Sequence, residues 1–337
     1  MVSRKRSFVV TLGALALVAA ACGGNGTTTT ANGDSGGSGA SGRIEISGSS
    51  SVEPISARVG ATFDAANPGS ATSVEGPGTG DGFARFCAGE TDISDASRPI
   101  KESEAAECTA NGIDYVELHI ATDGISIITA PGNDVVTCLD FNDMYALIGP
   151  ESEGFDSWSD ANGLAAELGA GHAPYPDAQL DITAPGEESG TYDTFVELVI
   201  ADIADERGAE EATRVDYSAE ANDQVIVSNI SSNDTSFGFV GFAFFEENQD
   251  LLRAIEVDGG DGCVAPTADT IASFEYALSR PLFIYVKTND LAVNSGLVAF
   301  VDYYLSDSGL EAVSNAGYVQ LPAAEWNATI AAWEAVR

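Results

Sequence analysis

The chain has 337 residues, of which 52 are acidic and 14 basic, for a formal charge of −38 at neutral pH. A surface of that sign repels nucleic acid and anionic lipid, which excludes both as partners held by charge, and it also suits solubility in a salty environment. The N-terminus carries Arg4, Lys5 and Arg6, then the apolar run FVVTLGALALVAAA (8–21) and Cys22. A charged head, a short apolar stretch and small residues are the pattern of a cleaved export signal. Its loss removes three basic and no acidic residues, and takes the charge from −38 to −41.

A cysteine directly after three alanines resembles a bacterial lipobox, with Ala19 standing where leucine is usual. That resemblance implies acylation of Cys22 and a lipid-anchored protein on the outer face of the cytoplasmic membrane. Residues 23–42, GGNGTTTTANGDSGGSGASG, are too poor in apolar side chains to fold and read as a flexible tether. No later stretch reaches about 18 uninterrupted apolar residues, so the lipid is the expected membrane contact. The remainder is long enough for one large domain or two smaller ones.

From residue 43 the chain alternates strand, loop and helix. RIEIS (43–47) is a strand and GSSS (48–51) a loop. A helix starts near Pro54, with Ile55, Val59, Thr62, Phe63 and Ala66 on one face, and ends at NPG (67–69). ATSVEG (71–76) is a strand, PGTG a turn and GFARFCAG (82–89) a short helix. DIS (92–94) leads to a loop at Ser97–Arg98, a helix within 101–111 and a long extended run over 114–130. The grammar then repeats: LDITAP (180–185) strand, GEESG loop, and a helix over 191–205 with Phe195, Leu198, Val199 and Ile203 inward. A helix over 222–232 follows, then a buried strand FGFVGFAFF (237–245), a strand RPLFIYVK (280–287) and helices over 295–305 and 323–336. Alternation of this kind predicts an α/β fold whose sheets are covered by helices on both faces.

Four of the remaining cysteines, Cys87, Cys108, Cys138 and Cys263, are an even number in an exported chain and read as disulfides. Three pairings are possible. Cys87–Cys108 with Cys138–Cys263 is favoured, because the first closes a short local loop. There is no CxxC, and His119 and His172 are the only histidines, so neither a metal nor another cofactor is expected.

Four loops share one character: GSSS, GPGTG, ASRP and EESGT. Each falls between a strand and a helix and offers hydroxyls and backbone N–H groups. The first turn of a helix has N–H groups without internal partners, and the positive end of its dipole favours anions. Singly, such serines and threonines are ordinary N-caps; together with Arg98 they outline an oxyanion site. GPGTGDGF lacks the lysine of a nucleotide-binding P-loop, and no GxSxG elbow occurs.

In this order, GSSSVEPI, GTGDGFARFCAGETDISDASRPI, ESGTYDTF and GFVGFAFF resemble the substrate-binding lipoproteins of phosphate ABC transporters. YVEL, ATDGI and SRPLFIYV extend the resemblance, which covers about residues 43–320. It implies a two-lobed periplasmic-binding-protein-like fold of type II with a two-crossing hinge. Lobe one is 43–122 plus 265–337 and lobe two is 123–264. By motif it implies that Ser50, Ser51 and Thr79 bind the ligand from lobe one, and Ser189, Gly190 and Thr191 from lobe two. Better-known members place an arginine where this chain has Pro185 and an aspartate where it has Ser97. Arg98 is the compensating cation, and Asp123 or Asp95 the compensating acceptor. A structural salt bridge, with Asp193 as candidate partner, is the other reading of Arg98.

The resemblance thus implies a monomeric, non-enzymatic protein that captures inorganic phosphate and hands it to permease subunits. The alternatives are the same fold binding sulfate or another oxyanion, and a secreted phosphatase.

Overall fold

The computed structural model describes residues 41–289 and 291–337. The export signal with Cys22, and residues 23–40 of the expected tether, lie outside the described residues. The described residues open with β1 (Ser41–Gly48), α1 (Glu53–Ala66), β2 (Gly69–Glu75), α2 (Thr79–Cys87), β3 (Ile93–Ala96), α3 (Glu102–Ala110) and β4 (Tyr115–Thr129). Next come β5 (Cys138–Asp140), α4 (Phe141–Ile148), α5 (Asn162–Leu168), β6 (Asp181–Ala184), α6 (Gly190–Phe195), α7 (Ala201–Arg207) and β7 (Ser218–Ala219). Then follow α8 (Asp223–Ser231), β8 (Ser236–Gly241), α9 (Phe242–Glu247), β9 (Arg253–Asp258), β10 (Cys263–Val264) and α10 (Ala268–Ala272). The chain closes with β11 (Ser279–Lys287), α11 (Ser295–Tyr304), α12 (Asp307–Asn315) and α13 (Ala323–Glu334).

The result is an α/β fold around a mixed sheet. Its main path runs β2-β1-β3-β11-β4-β8-β6-β7. β1 is parallel to β2 and β3, whereas β11 is antiparallel to both β3 and β4. Beyond β4, β8 is antiparallel and β6 runs parallel to β8. β4 spans the fold: from Ile120 to its end every residue is buried, as its near-continuous apolar run requires.

Two large apolar cores flank this strand. The first joins Ile44, Ile46, Leu118, Ile120, Leu282 and Ile284 to the inward faces of α1, α11 and α13. The second joins Ile125, Ile127, Phe195, Phe237, Phe239 and Leu278 to α4, α7 and α8. β4 passes from one core to the other between Ala121 and Ile125, and the chain returns between Leu278 and Leu282. Residues 265–278 contribute Ile271, Tyr276 and Leu278 to the second core, so the apolar boundary falls at the start of β11.

Both favoured disulfides form. Cys87–Cys108 ties α2 to α3, and Cys138–Cys263 ties β5 to β10. The predicted strand over 237–245 is shorter than expected: β8 stops at Gly241, and Phe242–Glu247 is helix α9. Phe242 and Phe245 are both buried, and their three-residue spacing is helical; an unbroken apolar run hides that change of period. On α1 the buried face includes Ser56 and Gly60, while Thr62 and Ala66 are exposed. Gly48 and Gly82 let β1, β3 and α2 approach closely. A Cβ on Gly48 would lie 1.9 Å from the Asp95 carbonyl oxygen, and one on Gly82 would lie 2.4 Å from Gly48 Cα.

Asp95 on β3 is fully buried; its Oδ1 accepts from Ser56 Oγ at 2.9 Å, while Oδ2 has no protein partner. Burial pushes this carboxyl up to about 8, against the pull of the Ser56 hydrogen bond. The folded state therefore holds a proton that the unfolded chain releases near pH 4. Asp95 is most compatible with folding below that pH, and its contribution is lost as pH rises through 8. The unfolding free energy of Asp95→Asn minus that of the unsubstituted protein should therefore increase between pH 4 and pH 8, by at most about 4 kcal/mol by pH 7. Denaturant titrations across that range measure it. A difference independent of pH contradicts a protonated Asp95.

Candidate functional site

Three loops follow the C-terminal ends of adjacent strands. Ser49–Ser51 follows β1, Pro77–Gly78 follows β2, and Ser97–Arg98 follows β3. The crevice outside the carboxyl ends of parallel strands is where open α/β sheets take ligands. These loops line a cavity of about 410 Å³, with Thr79 and Gly80 from the start of α2. The opposite wall is Asp193 on α6 and Glu197 in the turn that follows it, and Arg280 on β11 completes the lining.

Hydrogen bonds hold the hydroxyls in place. Thr79 Oγ1 lies 3.0 Å from Ser97 Oγ and accepts from Ser97 N–H at 3.2 Å. Ser49 Oγ accepts from Ser51 N–H at 3.2 Å, and Ser49 N–H donates to the Asp95 carbonyl at 2.9 Å. Ser50 Oγ donates to Asp193 Oδ2 at 2.9 Å, and Ser51 Oγ lies 3.3 Å from Thr194 Oγ1. These last contacts reach from the first core's loops to the second core's helix.

Arg280 is the charge at the centre. It is only 5 % exposed, and it sits opposite Asp123 in the β11–β4 register, at the point where both strands change cores. Its Nε donates to Asp123 Oδ2 at 3.2 Å and its Nη1 to Glu197 Oε2 at 2.6 Å. Its Nη2 donates to both Ser51 Oγ and Thr194 Oγ1. One guanidinium thus touches groups from β4, the β1–α1 loop, α6 and the turn after it.

The residues singled out in the sequence are distributed as follows. Ser50, Ser51, Thr79, Ser97 and Arg98 come together at the cavity. Arg98 also makes a two-pronged salt bridge, but with Glu104 at 2.7 and 2.9 Å and not with Asp193, and it lies 5.6 Å over the Phe83 ring. The Glu104 bond raises its pKa further. Asp123 sits behind Arg280 and also accepts from Thr194 Oγ1 at 3.3 Å. Ser189 caps α6 by accepting from Thr191 N–H at 3.2 Å. Gly190 backs onto the Ser50 loop, where a Cβ would be 3.5 Å from the Ser50 carbonyl oxygen. Ser189, Gly190 and Thr191 are not among the cavity-lining residues; the same helix presents Asp193 and Glu197 instead. Asp95 is buried beneath the loops.

Sequence reasoning passed over Arg280, Glu197 and the cavity role of Asp193. Arg280 had a visible signal: a charged residue before a proline at the head of an otherwise apolar strand needs a buried partner. Away from the cavity, Asp140, Asp143 and His172 bring ligand atoms within 4.8 Å of one another. Both carboxylates there already accept backbone N–H groups, Asp140 from Asp143 and Gly171, Asp143 from Asp140 and His172.

The chain matches the model of the PBP superfamily domain over residues 30–308. The SphX protein of a Synechocystis species is 37% identical over 84% of this chain and 80% of its own length. The phosphate-binding protein PstS of Staphylococcus epidermidis is 35% identical over 92% of this chain and 87% of its own length. A crystal structure described as a possible phosphate-binding protein from Planctomyces limnophilus superposes with a TM-score of 0.79. It is 34% identical, covering 88% of this chain and 99% of the other.

The two arginines should differ sharply in what they do for stability. Arg280→Ala leaves Asp123 buried without its cation and should lower unfolding free energy by about 3–5 kcal/mol. Arg98→Ala removes a partly exposed pair and should cost about 1 kcal/mol or less. Denaturant titration of both variants at neutral pH checks the ordering, and equal losses contradict it.

Proposed function

This chain belongs to the PBP superfamily and, within it, to the family of phosphate-binding proteins, and from that premise we propose that it captures inorganic phosphate in the cavity between its two cores and delivers it to an ABC permease. The observation that carries the reading is the buried Arg280 guanidinium converging with the hydroxyls of Ser50, Ser51, Thr79 and Ser97 on one cavity. A desolvated oxyanion needs its oxygens saturated by donors, and a guanidinium supplies the charge-assisted ones. Arg280 takes the part of the cation missing at Pro185, Arg98 stands at the rim, and Asp123 orients Arg280. Asp193 and Glu197 form the wall that faces these donors.

The two cores act as lobes. The crossings are Thr122–Gly124 in β4 and Ser279–Pro281 in β11, and closure about them is a hinge motion. The Arg280–Asp123 pair lies on the hinge itself, so the binding cation is fixed where the lobes move least. Acylation at Cys22 holds the domain at the membrane surface. Among the described residues no helix is long and apolar enough to cross a membrane. Binding and release involve no chemical step, so p-nitrophenyl phosphate should yield no nitrophenol.

Titration calorimetry of the purified protein, freed of carried-over ligand, tests the reading. Phosphate should bind with one site per chain, and excess sulfate should not displace it. Arg280→Lys keeps the charge but cannot make the planar fork, and should weaken phosphate binding about ten- to hundredfold. Arg98→Ala should weaken it less. No heat and no thermal shift at millimolar phosphate refutes the proposal, and displacement by sulfate moves it to another oxyanion.

A further inference from the structure

The two carboxylates in the cavity wall stand on the donors that an oxyanion would use. Asp193 Oδ2 accepts from Ser50 Oγ at 2.9 Å, and Glu197 Oε2 accepts from Arg280 Nη1 at 2.6 Å. They are four residues apart. α6 passes at Val196 into a five-residue π turn, Val196–Ile200, before α7 resumes, so Glu197 leaves the backbone from that turn. Single π turns inside helices are frequently found at functional sites. The exposures differ in a telling way: the Arg280 side chain is 6 % exposed and the Glu197 side chain 49 %. The donor is fixed and desolvated, whereas the carboxylate comes in from solvent and has water to return to.

Ser50 has a single hydroxyl hydrogen, and it is committed to Asp193. A phosphate oxygen that accepts from Ser50 must displace Asp193, and one that takes the bond Arg280 gives to Glu197 must displace Glu197. A carboxylate left beside the bound anion would also repel it at short range. We propose that Asp193 and Glu197 are affinity-determining residues: tethered anions that compete with the incoming oxyanion for Ser50 and Arg280 and thereby weaken its binding. The inference rests on the phosphate reading and deepens it. The competitors come from α6 and the turn after it in the second lobe, while Ser50 belongs to the first and Arg280 to the junction. Exchange of carboxylate for ligand is therefore coupled to how the lobes face each other. A carrier that must release its cargo gains from this, because as the ligand leaves, the carboxylates take back its donors.

The variants Glu197→Gln and Asp193→Asn keep size and shape and remove the charge, and Glu197→Asp keeps the charge on a shorter reach. Phosphate dissociation constants are measured by calorimetry on the full chain, with melting temperatures taken with and without saturating phosphate. The proposal expects Glu197→Gln to bind phosphate about three- to thirtyfold more tightly, Asp193→Asn to tighten it less, and Glu197→Asp, whose shorter side chain loosens the contact with Arg280 but keeps the charge, to fall between the unsubstituted protein and Glu197→Gln. Glu197→Gln should also melt lower than the unsubstituted protein without phosphate, and the gap should close when phosphate saturates both. Unchanged affinity in both neutral variants overturns the proposal. So does weaker binding, and weaker phosphate binding with a gain of sulfate binding would make these carboxylates acceptors for a ligand proton instead. If the unsubstituted chain binds no phosphate, the functional reading itself falls, and this inference with it.

Discussion

A buried ion pair between two neighbouring strands organises this molecule. Arg280 and Asp123 face each other in the β11–β4 register, both nearly inaccessible to water. Taking either charge out of water is costly unless the other is present, so the pair fixes the register of the two strands that pass between the cores. Two positions away on either side the residues are apolar and belong to different cores: Ala121 and Leu282 to the first, Ile125 and Leu278 to the second. The charge therefore stands at the seam between two hydrophobic bodies. There its remaining N–H groups reach Ser51, Thr194 and Glu197.

The rest of the site is built onto this fixed point. Three adjacent strand ends supply short loops whose hydroxyls are braced against one another, such as Thr79 against Ser97. Those loops can come close because Gly48 and Gly82 carry no side chain where β1, β3 and α2 meet. A single helix face from the other core closes the cavity. A chain with net charge −38 can still attract an anion there, because bulk charge is screened over about 10 Å at ordinary ionic strength while donors act at contact. The acidic surface bears on how fast an anion arrives, and the local donors on how well it is held.

Much of this was legible in the sequence because local chemistry and global position agreed. The alternating elements and the loops after β1, β2 and β3 follow from periodicity and strand–loop–helix order, and the disulfide pairing is the one of three possible that closes the short loop from Cys87 to Cys108. Ser50, Ser51, Thr79, Ser97 and Arg98 meet at one cavity because each follows a strand of the same parallel set or opens the helix behind it. What escaped notice depended on pairing across long sequence distances. Arg280 and Asp123 are 157 residues apart, and the bond between them exists only because β11 lies beside β4. The Ser189–Thr191 motif drew attention to the start of α6. The π turn further along, which presents Glu197 to the cavity, has no signature in periodicity. Arg98 pairs with Glu104 six residues away, one of 52 acidic residues, so composition alone does not single that partner out.

Phosphate capture as proposed rests on Arg280 as the cation that holds the ligand. A crystal structure of the protein grown with phosphate tests this most directly, through the identity of the groups within hydrogen-bonding distance of the anion. The expected result is a tetrahedral anion on the Arg280 guanidinium and the Ser50 hydroxyl, with Asp123 still paired to Arg280 Nε and Glu197 displaced from Nη1. An anion held by Arg98 alone, with Arg280 still bonded to Glu197, would contradict it.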